Sequence, residues 1–228
     1  MNPASLKHNF SIEKAHNAQL QLSKFIVLED KLPEKISFIG GVDTAYAENL
    51  AISAVIVLDF DNLNVVEVET ATRKIDLPYI PTLLSFRELP STFRCIKKLK
   101  TQPDVLLVDG QGVAHPYRCG FASHLGVVLG KPTIGVAKSR LIGEIEPFKN
   151  RDYAYLREGN EIIGAAVKTA TGKIFYVSVG HMVSLKTAIK IVKYCTRRGG
   201  VPEPIRLAHD VATIERDRVA KSNTLNNG

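Results

Sequence analysis

The chain has 228 residues, 45% of them hydrophobic and 23% charged, which is the balance of a soluble globular protein long enough to bury a core without covalent staples. No stretch supplies the roughly 20 apolar residues needed to cross a bilayer, no apolar leader opens the chain, and three scattered cysteines (Cys95, Cys119, Cys195) argue against a disulfide framework or a structural zinc site. The net charge of +7 favours a polyanionic partner such as nucleic acid, although charge alone fits a basic protein with no such partner equally well.

No repeat or low-complexity tract divides the chain, so a single domain over residues 1–228 is expected. Residues 11–29 read as an amphipathic helix capped by Ser11, and the remaining core spans about residues 35–222. Three strands follow, Lys35–Tyr46, Ala51–Phe60 and Asn64–Ile75, and their short connections predict an antiparallel meander. The third alternates Val66, Val68 and Thr70 with Glu67, Glu69 and Ala71, as a strand with one wet face does. A Pro-bounded loop, LPYIP at 77–81, precedes a helix over 83–100 that ends in Lys97, Lys98 and Lys100, cations suited to the negative end of a helix dipole. The apolar runs DVLLVDG at 104–110 and PTIGVAK at 132–138 flank a helix at 120–130 and read as parallel strands covered on both faces. Strands at 161–170 and 173–180 and helices at 184–198 and 204–222 complete the chain. Three antiparallel strands, then helix, strand, helix, strand, is the element order of an α/β ribonuclease H-like fold, a mixed central sheet flanked by helices.

That order would bring the first and fourth strands side by side. Asp43 would then meet Asp109 at one edge of the sheet, with Glu88 from the helix after the meander and His209 or Asp210 from the final helix. Clustered carboxylates raise one another's pKa unless a cation intervenes, and hard oxygen donors suit magnesium or manganese. Taken singly, each residue has a plainer reading: Asp109-Gly110 as a turn, Asp43 as a cap on a local amide, Glu88 as an exposed helix residue.

The motifs PYIP with LLSFRE (78–88), PDVLLVDGQGVAHPYRCGFASHLG (103–126), PTIGVAKSRLIG (132–143) and VPEPIRLAH (201–209), with GGVDTAY at 40–46, closely resemble the endonuclease V family over about residues 36–215. The resemblance implies a magnesium-dependent endonuclease, with manganese also serving, that nicks the second phosphodiester 3′ to a deaminated base, chiefly hypoxanthine. It implies DNA repair by a cytoplasmic monomer, with DNA as partner and inosine-containing RNA as the nearest alternative. Asp43, Asp109 and Glu88 match the family's metal-site carboxylates. His209 matches the fourth position, with Asp210 as second choice. Tyr79 resembles the family's wedge, held by Pro78, Ile80 and Pro81. His115 and Lys138 resemble residues close to the scissile phosphate, and Lys138 would neutralise developing charge there. Arg87, Arg118 and Arg140 are expected to contact phosphates.

Deamination of adenine creates a 6-carbonyl and a hydrogen on N1, so backbone groups could read a flipped base, and Gly110, Gly112 and Gly135 are the candidates for such a pocket. One departure stands out: after PYIP the family usually has Gly, whereas this chain has Thr82, which is expected to narrow the pocket or redirect the loop. Two readings compete from outside: a non-catalytic damage-binding protein, which would not need gathered carboxylates, and a metal-dependent phosphatase, which would not need a wedge.

Overall fold

In a computed structural model that describes residues 10–75, 77–196 and 200–226, the three leading strands form the expected antiparallel meander: β1 (Phe38–Ala47), β2 (Leu50–Asp59) and β3 (Val65–Lys74). Residues 1–9, read above for a leader, and residues 197–198 of the expected 184–198 helix lie outside the described residues. β4 (Val105–Asp109) runs parallel beside β1, and β5 (Thr133–Ala137) parallel beside β4. Every residue of β5 and the first four of β4 are buried, which explains their unbroken apolar composition.

β6 (Glu144–Ile145), β7 (Tyr153–Glu158), β8 (Glu161–Lys168) and β9 (Ile174–His181) return antiparallel, giving a nine-stranded sheet of order β3-β2-β1-β4-β5-β9-β8-β7-β6. The sequence reading includes β8 and β9 but not β6 and β7. A period-two signal is present in β7, where Ala154 and Leu156 are buried between Tyr153, Tyr155 and Arg157.

Helices α2 (Leu84–Lys98) and α3 (Phe121–Leu129) cover one face, and α4 (Leu185–Cys195) and α5 (Glu203–Asn226) cover the other. This is the ribonuclease H-like arrangement. Strand alternation sends Val42, Leu106 and Val108 toward α2 and α3, and Ile39, Val105 and Leu107 toward α4 and α5. The same alternation puts Asp43 and Asp109 on the α5 face. α5 approaches β1 so closely there that a Cβ on Gly41 would lie 1.9 Å from the Pro204 carbonyl oxygen.

Two expectations need correction. α1 (Ile12–Ser23) is capped by Ser11 but stops at Ser23 rather than at residue 29. Beyond it the chain turns at residues 24–25, then Val27 N–H donates to His181 Nδ1 and its carbonyl accepts the Met182 N–H, and Asp30 accepts from the Ser184 N–H, the N-cap of α4, and from the Thr187 hydroxyl. On β3, the valines do not face the core. Val66 and Val68 are 46% and 44% exposed, while Ala71 is buried near α2 and Glu67 accepts the Lys100 and Thr101 amides just beyond α2. β3 is an edge strand of the sheet, and it is Glu67 rather than the valines that meets the segment after α2.

Candidate active site

Asp43 lies midway along β1, where an acid is a poor strand former and its burial demands partners. Oδ1 accepts the Thr44 N–H at 2.8 Å, and Oδ2 accepts from His209 Nδ1 at 2.7 Å. A carboxylate only accepts, so His209 Nδ1 carries the hydrogen, and a neutral ring keeps its Nε2 lone pair for a cation. The adjacent Asp210 turns instead to Arg206 at 2.7 Å, as the ~100° step between helical neighbours requires. Asp109 ends β4 and accepts from Lys138 Nζ at 2.6 Å, one residue past the end of β5. Glu88 comes from α2, on the opposite face, and accepts the Tyr46 hydroxyl at 2.5 Å.

The charges show that these acids sense one another. Burial, followed by the charge of Asp109, raises Asp43 above the usual carboxylate range, with His209 opposing the shift. Burial also pushes Glu88 up to about 8; the Tyr46 hydroxyl opposes this, while Asp43 and Asp109 add to it. For Lys138, burial favours the neutral amine, yet Asp109 and Asp43 together hold the pKa above its ordinary value. The charge of Asp109 raises both Asp43 and Glu88, and that of Asp43 raises Glu88, so the cluster is short of positive charge. Hard oxygens joined by one imidazole fit a magnesium or manganese ion in charge and donor type. Each acid is meanwhile engaged by a neighbouring side chain, and among the described residues no group of three His, Cys, Asp or Glu side chains is assembled to enclose an ion.

The loop before α2 joins this cluster through Arg87. Its guanidinium lies 4.5 Å from the centre of the Tyr46 ring, and Nη1 donates to the Leu77 carbonyl at 3.0 Å. Two residues beyond Leu77, the Tyr79 ring is 64% exposed. Pro81 then opens a single 3-10 turn, Pro81–Leu83. The Thr82 carbonyl accepts from Gln19 Nε2 at 2.8 Å and His115 Nε2 at 3.1 Å, and its hydroxyl pairs with His16 at 2.9 Å. Below it lies a narrow cavity of about 30 Å³, bounded by Thr82, Gln111, His115, Gly120 and Leu141 among others.

The endonuclease V family pattern matches residues 20–210 of this chain. The chain belongs to the endonuclease V family. An endonuclease V from Thermofilum pendens is 46% identical over 210 residues, covering 91% of this chain and 90% of that protein. The crystal structure of endonuclease V from Streptomyces avermitilis superposes with a TM-score of 0.85 at 36% identity, covering 97% of each chain. Endonuclease V from Ciona intestinalis, crystallised with a DNA containing an inosine followed by a ribo-adenosine, does so with a TM-score of 0.84 at 32% identity, covering 91% of this chain and 98% of that one. As a member of that family the chain is a nuclease acting on phosphodiester bonds, and among the described residues no helix is long and apolar enough to cross a membrane.

The structure pairs Asp43 with His209 and Asp109 with Lys138, sets Glu88 within electrostatic reach of both aspartates and leaves Tyr79 exposed, but other expected site residues are occupied elsewhere. His115 is buried: Nδ1 accepts the Tyr117 N–H, so Nε2 is the donor to Thr82, and burial lowers its pKa to about 4. It supports the loop rather than facing a phosphate. Arg118 pairs with Glu158 and Glu161, and Arg87 holds the loop. Arg140 is exposed beside an open groove of about 840 Å³ along β6 and β7. Gly112 and Gly135 serve close packing, since a Cβ on Gly112 would meet the Val179 carbonyl at 2.1 Å and one on Gly135 the Gly112 nitrogen at 2.5 Å. Gly110, at φ +153°, makes the turn after β4. Of the glycines, Gly120 borders the cavity instead. Thr82 lies outside the left-handed region, so its backbone does not require glycine. Tyr46 and Gln19 are absent from the sequence reading. Gln19 carried a usable signal, a polar residue four positions after Ala15 on the buried stripe of α1.

Proposed function

We propose that this chain is a metal-dependent repair endonuclease that nicks DNA at the second phosphodiester 3′ to a deaminated base, chiefly hypoxanthine, leaving a 3′-hydroxyl and a 5′-phosphate. The observation that carries this reading is the meeting of Asp43, Asp109 and Glu88 beside Lys138, with Arg87 linking the cluster to the loop of the exposed Tyr79. Asp43, Asp109, Glu88 and His209 Nε2 would hold magnesium, or manganese in its place. When bound, the ion supplies Lewis-acid polarisation of the phosphodiester and offsets the charge of the acids.

The chain's own groups position and stabilise. Lys138 presents an ammonium to a phosphate oxygen as negative charge builds there. His209 orients Asp43, and Tyr46 orients Glu88. A water oxygen bonds to phosphorus as the bond from phosphorus to the 3′-oxygen breaks, and one proton given up by the water ends on the 3′-oxygen. Tyr79 stacks where the extruded base was, while Pro78 and Pro81 keep Ile80 and the loop stiff at small entropic cost. The inosine in the Ciona complex supports hypoxanthine as the lesion. The ribo-adenosine that follows it favours a second reading, inosine-containing RNA, since the 2′-hydroxyl separates the two substrates. The buried thiols of Cys95 and Cys119 suit a cytoplasmic setting.

The test is nicking of end-labelled DNA and RNA carrying one inosine, in magnesium, manganese or EDTA. Wild type should cut one nucleotide beyond the inosine only with metal, and the preferred strand decides between DNA and RNA. Asp43→Ala and Asp109→Ala should abolish the cut while melting cooperatively. Metal-dependent cutting by either variant would overturn the ligand assignment. No cut by wild type, with tight binding in EDTA, would make this a damage-binding protein.

A further inference from the structure

Gln19 is completely buried, yet its amide is only half satisfied. Nε2 donates to the Thr82 carbonyl at 2.8 Å and to the Cys119 carbonyl at 3.0 Å, which uses both of its hydrogens. The amide cannot be turned over, because the opposite orientation would set an oxygen against two carbonyl oxygens. Oε1 is therefore fixed in direction, and among the described residues it has no hydrogen-bond partner. Gln111 repeats the pattern: Nε2 donates to the Ser139 carbonyl at 2.9 Å, and Oε1 is buried without a partner among the described residues. Both residues border the narrow cavity under Thr82.

Unpaired acceptors buried together are costly, and a donor that enters the cavity, a water or a ligand group, would relieve that cost. The other walls narrow the class of that donor. Leu84, Phe121 and Leu141 are apolar, and both ring nitrogens of His115 are already engaged. The cavity suits a flat, neutral group that carries an N–H.

We infer that Gln19 is a specificity-determining residue whose Oε1 accepts the ring N–H of the extruded base. The inference rests on the proposed function above. Deamination creates this hydrogen: hypoxanthine carries it on N1, where adenine has a lone pair, and uracil carries it on N3, where cytosine has one. An undamaged adenine would oppose acceptor to acceptor. At about 30 Å³ the cavity has room for a water molecule rather than a base, so the loop at Thr82 must lift to admit one. The hydrogen bonds from His16, Gln19 and His115 hold that loop down.

The experiment compares nicking of duplexes carrying deoxyinosine or deoxynebularine, a purine with neither the N1 hydrogen nor the 6-oxygen. Wild type should prefer inosine by roughly ten- to hundredfold. Gln19→Met, of similar volume, should lose inosine nicking selectively and shrink the preference to about threefold or less. A residue that merely staples the loop would depress both substrates together and leave the preference intact, and that result overturns the inference while the proposed function stands. Gln19→Asn, which keeps an amide but withdraws its oxygen, carries the same expectation if the Met variant fails to melt cooperatively. Equal cutting of both substrates by wild type overturns the inference without any variant. A wild type that nicks neither substrate overturns the proposed function, and this inference with it.

Discussion

A carboxyl whose pKa rises to about 8 on folding, as that of Glu88 does, binds a proton that the unfolded chain releases near 4.5. Between those values the folded state is the more protonated one, so Glu88 favours folding at low pH and ceases to as the pH rises. For so buried a group the effect is on the order of a few kcal/mol. His115 and His124 act in the opposite sense, because burial lowers both to about 4 and they gain stability as pH climbs toward the usual histidine value. The window that isolates Glu88 is therefore about pH 6.5 to 8. Urea unfolding in EDTA should show stability falling across that window, and Glu88→Gln should flatten the fall. A slope unchanged in the variant would show that Glu88 is not its source. Thr82 makes a second prediction at this scale, since its hydroxyl pairs with His16 and its side chain borders the cavity. Thr82→Gly should leave the chemistry intact and raise nicking at xanthosine relative to inosine; identical base profiles would remove Thr82 from recognition.

Elements position these residues by close approach. Gly41 of β1 faces the Pro204 carbonyl of α5, and backbone cannot yield as a side chain does. Gly41→Ala should shift the start of α5, move His209 away from Asp43 and cost about 1–3 kcal/mol in thermal or urea unfolding. A variant that melts and nicks like wild type would show that this contact does not set the position of α5. Most of the elements were legible because their signals are local. The unbroken apolar runs of β4 and β5 predicted parallel, doubly covered strands, and Ser11 predicted its cap. The readings that failed depended on partners. α1 ends six residues early because Val27 pairs with His181 and Met182, and the valines of β3 stay exposed because Glu67 is drawn to amides past α2. No periodicity reports a hydrogen bond between residues 154 apart in the chain.

The whole molecule carries a net charge of +7 around a cluster of acids, so it must hold phosphates with its cations and keep the acids compensated. Binding to undamaged duplex should accordingly weaken by more than about tenfold between 50 and 200 mM salt, whereas a salt-insensitive affinity would deny the basic surface a role. Composition, charge and strand order follow from residue types and their local spacing, and these were enough to foresee the ribonuclease H-like sheet with β1 beside β4. Tertiary packing decided the rest. It turned His115 inward, gave Arg118 to Glu158 and Glu161, set Tyr46 against Glu88 and joined Gln19 to a carbonyl one hundred residues away. Such pairings arise where separately formed elements are pressed together, and the need to satisfy every buried polar group chooses among partners that no local pattern names.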